Sequence, residues 1–188
     1  MTPKVGIIGF GMVGGALTRY FNSRNITPVI FDPLKGYEDA EALKDTDIIF
    51  VCVPTPYDAV SHGFDLRYVD SAFDVIPKNK IVVIKSTVVP GTTLAYQKKR
   101  PDLTVMFNPE FLTESRSDED MFHPNRQIIG IVKEEDRGAA EKVLEILPAA
   151  PFVKIVAAAE AEMLKYFGNA FYALKVAYAN QIFDLCQK

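Results

Sequence analysis

The sequence predicts an α/β fold, in which a doubly wound, mostly parallel, Rossmann-like sheet is followed by a long C-terminal helix. Short apolar runs alternate with helical segments over residues 1–156, at the spacing typical of such sheets. The first of these runs leads directly into a glycine-rich turn, and residues 157–188 read as a single helix. We therefore expect one α/β domain at 1–156 and a long, apparently truncated helix at 157–188.

Each predicted strand is a short, mostly apolar run. The strands are expected at residues 5–9, 28–32, 47–53, 80–85, 103–107, 127–132 and 152–156. Between them, helices are expected at 12–21, 37–44, 65–75 and 134–147, and Asp65 can cap the third of these helices.

The last predicted helix is apolar on two sides. One stripe recurs at spacings of three and four and consists of Leu164, Phe167, Phe171, Leu174, Tyr178, Ile182 and Leu185. The opposite face carries Tyr172, Val176 and Phe183. Such a helix needs a second surface, either another subunit or a segment absent from this sequence. We expect a homodimer through this helix.

The composition argues against several classes of protein. The chain has 21 Lys and Arg residues against 24 Asp and Glu, which disfavours a nucleic-acid-binding protein that neutralises phosphates. The sequence contains no run of about 18 apolar residues, the length that a membrane-spanning helix needs. We also expect no signal peptide. With only Cys52 and Cys186, we expect no disulfide framework and a cytoplasmic protein. His62 and His123 are isolated, so we expect no metal site.

The glycine-rich turn fits the pattern G-x-G-x-x-G between a strand and a helix, and it reads Gly9, Phe10, Gly11, Met12, Val13, Gly14. Its glycines permit a tight turn, close approach of a pyrophosphate and close helix packing. Asp32 ends the second strand, where a carboxylate binds the adenosine ribose and favours NAD over NADP. The alternative is a merely tight turn, with Asp32 starting an Asp-Pro turn. The segment predicts NAD as cofactor.

Two later loops follow strands at the edge where doubly wound sheets bind ligands. The first contains Val53, Pro54 and Thr55, and the second contains Ser86 and Thr87, whose hydroxyls can meet a cofactor or a water. Taken alone, either loop could be an ordinary turn.

A third segment holds Glu110 and Glu114, four residues apart, so that on a helical turn they share a face. Paired carboxylates near a nicotinamide can act as a base or position water. The alternative is a solvated acidic face.

Together these segments resemble the UDP-glucose/GDP-mannose dehydrogenase family of nucleotide-sugar 6-dehydrogenases. The shared motifs, in order, are the glycine turn, V-P-T-P, S-T-V-x-P-G-T-T and N-P-E-F-L-x-E through P-x-R-x-x-x-G, ending at Gly130. The last helix resembles the family's central helix from Glu160 to Asn169 and onward to Asn180. Ser115 and Ser117 depart from the family pattern, which usually has Gly and Ala there.

The resemblance implies oxidation of a sugar C6 alcohol to a carboxylate with two NAD, through a thioester on a cysteine. Lys165 and Asn169 match the residues that stabilise the oxyanion at C6, a task suited to two donors at i and i+4. Without the resemblance, Lys165 would read as a surface pair with Glu162. The resemblance further implies two pairs of site residues: Thr87 and Glu110 around the reacting water, and Phe111 and Leu112 in the sugar pocket. It also implies that Glu114 lies beside the nicotinamide and the sugar.

The family's nucleophile lies on the motif G-F-G-G-x-C, which does not occur in this sequence, and its nucleotide-sugar domain is also missing. Cys52 is expected in the core, and Cys186 has no activating neighbour. We expect micromolar NAD binding and negligible turnover by this chain alone, with a nucleotide-sugar substrate only if a C-terminal domain completes the site. The alternatives are a non-catalytic dinucleotide sensor or assembly module, and another β-hydroxyacid-type dehydrogenase.

Overall fold

The computed structural model describes residues 2–59 and 63–187, and its central element is a seven-stranded sheet. In chain order the strands are β1 (Val5–Ile8), β2 (Val29–Phe31), β3 (Ile48–Val51), β4 (Tyr57–Asp58), β5 (Gly63–Phe64), β6 (Ile81–Ile84), β7 (Thr104–Phe107), β8 (Arg126–Ile131) and β9 (Phe152–Ala157). The sheet has the order β2-β1-β3-β6-β7-β8-β9, and β4 and β5 form a separate small hairpin. His62 and its prediction lie outside the described residues.

Helices cover both faces of the sheet. In chain order they are α1 (Met12–Ser23), α2 (Arg67–Val75), α3 (Thr92–Lys99), α4 (Ser117–Phe122), α5 (Arg137–Ile146) and α6 (Ala158–Cys186). On one face Leu17 and Phe21 of α1 pack with Phe50 and with Val143 of α5. On the other face the core is formed by Ile49, Phe73, Val82, Tyr96, Phe107 and Ala161. The predicted doubly wound, mostly parallel fold is confirmed.

One strand pair breaks the parallel pattern. The pairings among β2, β1, β3, β6 and β7 are parallel, whereas β8 runs antiparallel to β7, with Phe107 opposite Gly130. Strand β9 is parallel to β8. The amino ends of β8 and β9 therefore lie at the edge where β7 ends.

The predicted helix at 37–44 is wrong. Asp32 and Tyr37 instead form an isolated β-bridge around a short 3₁₀ turn at Pro33–Lys35. Gly36, with φ of 81°, adopts the left-handed conformation that lets the chain reverse there. Only Glu41–Asp45 is helical, as a second 3₁₀ turn.

Helix α6 is attached to the domain by its first turns alone. Ala158, Ala161, Glu162 and Lys165 are buried, whereas every described residue from 169 to 187 is exposed. Gly130 permits the close approach of the helix, because a Cβ there would lie 2.8 Å from Ala158 Cα and 2.8 Å from Ala161 Cβ. Neither α6 nor any other described helix is long and apolar enough to cross a bilayer.

Candidate functional site

The glycine turn has the geometry of a phosphate-binding loop. Gly9 has φ of 93°, and a Cβ there would lie 2.7 Å from the carbonyl oxygen of Cys52. A Cβ on Gly14 would lie 2.0 Å from the carbonyl oxygen of Gly9, so the first and third glycines are sterically required. A Cβ on Gly11 would meet nothing within 4 Å. The second glycine thus faces open space at the amino end of α1, where unpaired N–H groups attract anions.

Asp32 is held beside this turn. The backbone N–H of Phe10 donates to Asp32 Oδ2 at 2.7 Å, and Lys35 Nζ donates to the carbonyl oxygen of Phe10 at 2.6 Å. The Phe10 ring packs edge-on against Tyr37, with 5.2 Å between the ring centroids. Met12 and Val13 form the first turn of α1 behind the loop. The Asp32 carboxylate is therefore held at the glycine turn through one of its oxygens.

The two loops predicted to meet a cofactor are tied to each other. Ser86 Oγ donates to the carbonyl oxygen of Val53 at 2.7 Å, and Thr55 Oγ1 donates to the carbonyl oxygen of Thr87 at 2.6 Å. Both hydroxyl hydrogens are thereby used within the protein. Pro54 lies exposed between these contacts. The hydrogen bonds fix the spacing of the β3 and β6 ends beside the glycine turn.

A buried ion pair joins α6 to the loop after β7. Lys165 Nζ lies 2.6 Å from Glu110 Oε1, and these side chains are only 8% and 13% exposed. The backbone N–H of Leu112 donates to Glu110 Oε2 at 2.8 Å, which fixes the other oxygen. The low exposure strengthens the Coulomb attraction between the two groups relative to a surface pair, and it also raises the cost of desolvating them.

Glu162 does not pair with Lys165 but caps α3. It is fully buried and accepts hydrogen bonds from Gly91 N–H at 2.6 Å, Thr93 N–H at 2.7 Å and Thr93 Oγ1 at 2.6 Å. The alternative reading of a Glu162–Lys165 surface pair is therefore wrong. A carboxylate at this position satisfies N–H groups that the helix itself leaves unpaired.

Glu110 and Glu114 do not share a helical face, which corrects the prediction from their spacing. Residues 108–113 are non-helical, and Glu114 begins a short 3₁₀ turn, Glu114–Arg116, in which it is exposed. Pro109 disfavours helical backbone at the residue before it, and the Leu112 N–H is committed to the Glu110 side chain. Glu110 therefore points inward, whereas Glu114 faces solvent.

A cavity of about 510 Å³ lies over the ion pair. Five of the predicted site residues line it, namely Glu110, Phe111, Leu112, Lys165 and Asn169. Thr87 and Glu114 do not belong to its lining as far as the described chain shows. The guanidinium of Arg126 stacks 4.7 Å from the centroid of the Phe111 ring and also lines the cavity.

His123 and Lys85 also line this cavity and are not among the site residues predicted from the sequence. His123 was dismissed because it has no metal-ligand spacing, and the residue after α4 carries no other signal. Lys85 stands at the end of the apolar β6 segment, where a lysine usually faces solvent. In the structure it is buried and donates a hydrogen bond to Asn108. Cys52 is buried as predicted, and burial raises the pKa of its thiol to about 12, which suits a core residue rather than a nucleophile.

The doubly wound sheet, its glycine turn and the acid that follows the second strand define a Rossmann-type dinucleotide-binding domain. A sequence model described as the UDP-glucose/GDP-mannose dehydrogenase family, NAD binding domain, matches residues 32–147. The chain therefore belongs to the UDP-glucose/GDP-mannose dehydrogenase family, within its NAD-binding domain.

Relatives and solved structures agree with this assignment. The chain is 38% identical over 154 residues to a UDP-glucose 6-dehydrogenase of Rickettsia conorii, which covers 78% of the chain and 35% of that protein. A UDP-glucose dehydrogenase structure from Pyrobaculum islandicum is 28% identical, with a TM-score of 0.79. The superposition covers 97% of the present chain and 52% of the Pyrobaculum chain. A GDP-mannose dehydrogenase from Pseudomonas aeruginosa is 25% identical with a TM-score of 0.78, covering 95% and 52%. The chain thus spans about a third of the length of the curated relatives that it matches.

Proposed function

We propose that this chain binds NAD and supplies the cofactor side of a nucleotide-sugar 6-dehydrogenase. The observation that carries the proposal is the buried Glu110–Lys165 ion pair beneath a cavity that Asn169 also lines. A carboxylate, an ammonium and an amide at one cavity are the groups needed to move a proton and to stabilise an oxyanion.

The proposed cofactor contacts follow from the glycine turn. The open side of Gly11 and the amino end of α1 would take the pyrophosphate, as a Cβ at Gly11 would meet no atom within 4 Å. Asp32 would accept hydrogen bonds from the ribose hydroxyls and would repel a 2′-phosphate. Val53 and Ser86, tied together behind the turn, would border the cofactor further along the sheet edge.

The chemistry that NAD would supply when bound is acceptance of a hydride, and the chain's own residues would handle the protons and the charge. The Lys165 ammonium and the Asn169 amide would donate to the C6 oxygen. Glu110, already held by the Leu112 N–H, would accept a proton from the hydroxyl or from water. Removing one such donor from an oxyanion site lowers turnover by about 10²–10³-fold.

The carbohydrate chemistry needs groups beyond these residues. The G-F-G-G-x-C nucleophile motif does not occur in the sequence, and Cys52 is buried with a raised pKa. We therefore propose that a nucleotide sugar is oxidised only when another polypeptide segment supplies the thiol and binds the nucleotide.

Titration of the chain with NAD and NADP by calorimetry tests the first half of the proposal. Wild type is expected to bind NAD in the micromolar range and NADP at least about tenfold more weakly, because Asp32 repels the 2′-phosphate. Gly11→Ala should weaken NAD binding by about tenfold or more without lowering the melting temperature, since its methyl group contacts no protein atom.

Gly138→Ala is the matched control, because a Cβ at Gly138 of α5 also meets nothing within 4 Å. It should leave NAD binding unchanged. Equal NAD affinity in Gly11→Ala and wild type would contradict the proposed pyrophosphate site. Reduction of NAD with UDP-glucose at enzyme-like rates by the chain alone would contradict the second half.

We also propose that the exposed part of α6 pairs with a second copy of the chain. Phe171, Leu174, Tyr178, Phe183 and Leu185 are each at least half exposed, which is unusual for large apolar side chains at regular spacing. Light scattering should give twice the chain mass, and the double variant Leu174→Glu, Tyr178→Glu should give the monomer mass. Asn180→Glu, which alters a polar residue of the same segment, is the control. A monomeric wild type at high concentration would remove the proposal.

The cytoplasm is the proposed compartment. Cys52 and Cys186 are both free thiols, and reducing compartments keep thiols in this state. Fractionation of cells that express the protein would test this location.

A further inference from the structure

Lys85 places a buried ammonium group at the cavity. It directly follows β6, is 5% exposed and lines the cavity together with Glu110 and Lys165. Its Nζ donates to Asn108 Oδ1 at 2.6 Å. The Asn108 Nδ2 group in turn donates to the carbonyl oxygen of Ile128 at 2.8 Å, so the amide oxygen is directed at Lys85. The ammonium is thereby held in one position by strands β6, β7 and β8.

The charge of Lys85 is not neutralised by a neighbouring carboxylate. Glu110 is engaged by Lys165, and within the described ranges no carboxylate lies within ion-pair distance of Lys85. Burial lowers the pKa of Lys85, and the Lys165 ammonium acts in the same direction, while Cys52 and Glu110 oppose it. The hydrogen-bond partner of Lys85 inside the protein is thus a neutral amide.

The other ionisable groups of the cavity leave an excess of positive charge. Arg126 lies on the Phe111 ring at the rim, and His123 lines the wall. Asp120 accepts a hydrogen bond from the Thr113 N–H, which lowers the pKa of its carboxyl. Three basic side chains, Lys85, Lys165 and Arg126, therefore face two acidic ones, Glu110 and Asp120.

A purely structural role accounts poorly for an ammonium at this position. A neutral donor such as an amide could bond Asn108 equally well, without the several kcal/mol needed to desolvate a charge. Lys85 also has three N–H donors, of which Asn108 takes one. An anion entering the cavity would complete both its hydrogen bonding and its charge balance.

We propose that Lys85 makes this cavity select a sugar carboxylate over the corresponding sugar alcohol. The oxidised carbon would then be held by Lys85 as well as by Lys165 and Asn169. This inference rests on the proposed function, because it assumes that the reacting end of the sugar enters this cavity. Its consequence is that the site retains its product more strongly than its substrate.

The test compares methyl α-D-glucuronoside with methyl α-D-glucoside by NMR titration of the full chain, labelled with ¹³C at the lysine ε-carbons. Wild type should bind the glucuronoside about tenfold more tightly, since an ammonium–carboxylate ion pair replaces an ammonium–hydroxyl hydrogen bond. Lys85→Met should reduce this preference to below about threefold. Lys78→Met, an exposed lysine at the opposite end of β6, should retain it.

A second readout does not depend on the folding of Lys85→Met. In wild type, the glucuronoside and not the glucoside should shift the Lys85 ε-carbon signal, assigned with Lys85→Arg. The inference is overturned if wild type shows no preference, if neither glycoside binds, or if the Lys85 signal stays still.

An NAD titration of the same samples distinguishes a failure of the role proposed for Lys85 from a failure of the proposed cofactor function. NAD binding without a carboxylate preference overturns the role of Lys85 and leaves the proposed cofactor function standing. Loss of NAD binding in wild type overturns the proposed function itself.

Discussion

Replacing Glu162 with glutamine is expected to loosen the attachment of α6 to the domain. The buried carboxylate accepts three hydrogen bonds, from Gly91 N–H and from the N–H and hydroxyl of Thr93. Glutamine keeps one oxygen for Thr93 but presents its NH₂ group to the Gly91 N–H, so two donors face each other. It also removes the negative charge at the amino end of α3.

The magnitude follows from these contacts. A hydrogen bond to a charged acceptor contributes about 1.5–3 kcal/mol and a neutral one about 1 kcal/mol, so the two retained bonds lose about 1 kcal/mol each. The unpaired Gly91 N–H adds about 1 kcal/mol, because Gly91 is exposed and water can reach it. The free energy of unfolding should therefore fall by about 3 kcal/mol, and the melting temperature by roughly 6–12 °C.

Urea unfolding followed by circular dichroism measures this change, and Glu160→Gln is the control. Glu160 lies on the same helix but is exposed, so its replacement should change stability by less than about 0.5 kcal/mol. Thr93→Val combined with Glu162→Gln should be less destabilising than the two single variants added together. If Glu162→Gln and Glu160→Gln unfold alike, the capping role assigned to Glu162 is wrong.

Three other outcomes are expected. Gly14→Ala should unfold the chain or lower its melting temperature by more than about 10 °C in thermal melts, because its Cβ would lie 2.0 Å from Gly9 O; a stable variant would contradict the loop geometry. At pH 8.5 a thiol reagent should label Cys186 and spare Cys52, whose pKa is about 12, until urea is added; rapid labelling of both native thiols would contradict this. Gly130→Ala should increase amide hydrogen exchange in the first turns of α6, which its Cβ would approach to 2.8 Å; unchanged exchange there would refute the contact.

The parts of the fold that sequence reasoning predicted are those that hydrophobicity alone determines. The buried strands β1 and β3 are unbroken apolar runs, and α6 has a long apolar stripe, so all three could be recognised. Helix α3 was missed, because its buried residues include Thr92, Thr93 and Gln97. Gln97 is buried because it hydrogen-bonds the backbone of Leu103 and Val105. A helix that buries polar side chains in this way shows no hydrophobic periodicity in the sequence, so it could not be recognised there.

The site was predicted through resemblance and not through spacing. The sequence around Lys165 does not show whether its ion-pair partner lies on the same helix or is Glu110, which is distant in the sequence. Only the fold brings Glu110 to within 2.6 Å of Lys165. The spacing of Glu110 and Glu114 was misleading, because it assumed a helix that Pro109 and the Leu112 contact prevent. Lys85 was overlooked because a lysine after a strand normally faces water.

The reversed direction of β8 determines which part of α6 meets the site. Since β9 runs parallel to β8, it ends at the edge of the sheet away from the cavity, and α6 must cross back over β8 to reach Glu110. The helix consequently arrives with its interior turns, where every peptide N–H is already engaged within the helix. Unlike α1, it can offer no main-chain donors to an anion. Because one strand runs in the opposite direction, an anion can be bound by this wall of the cavity only through charged or polar side chains.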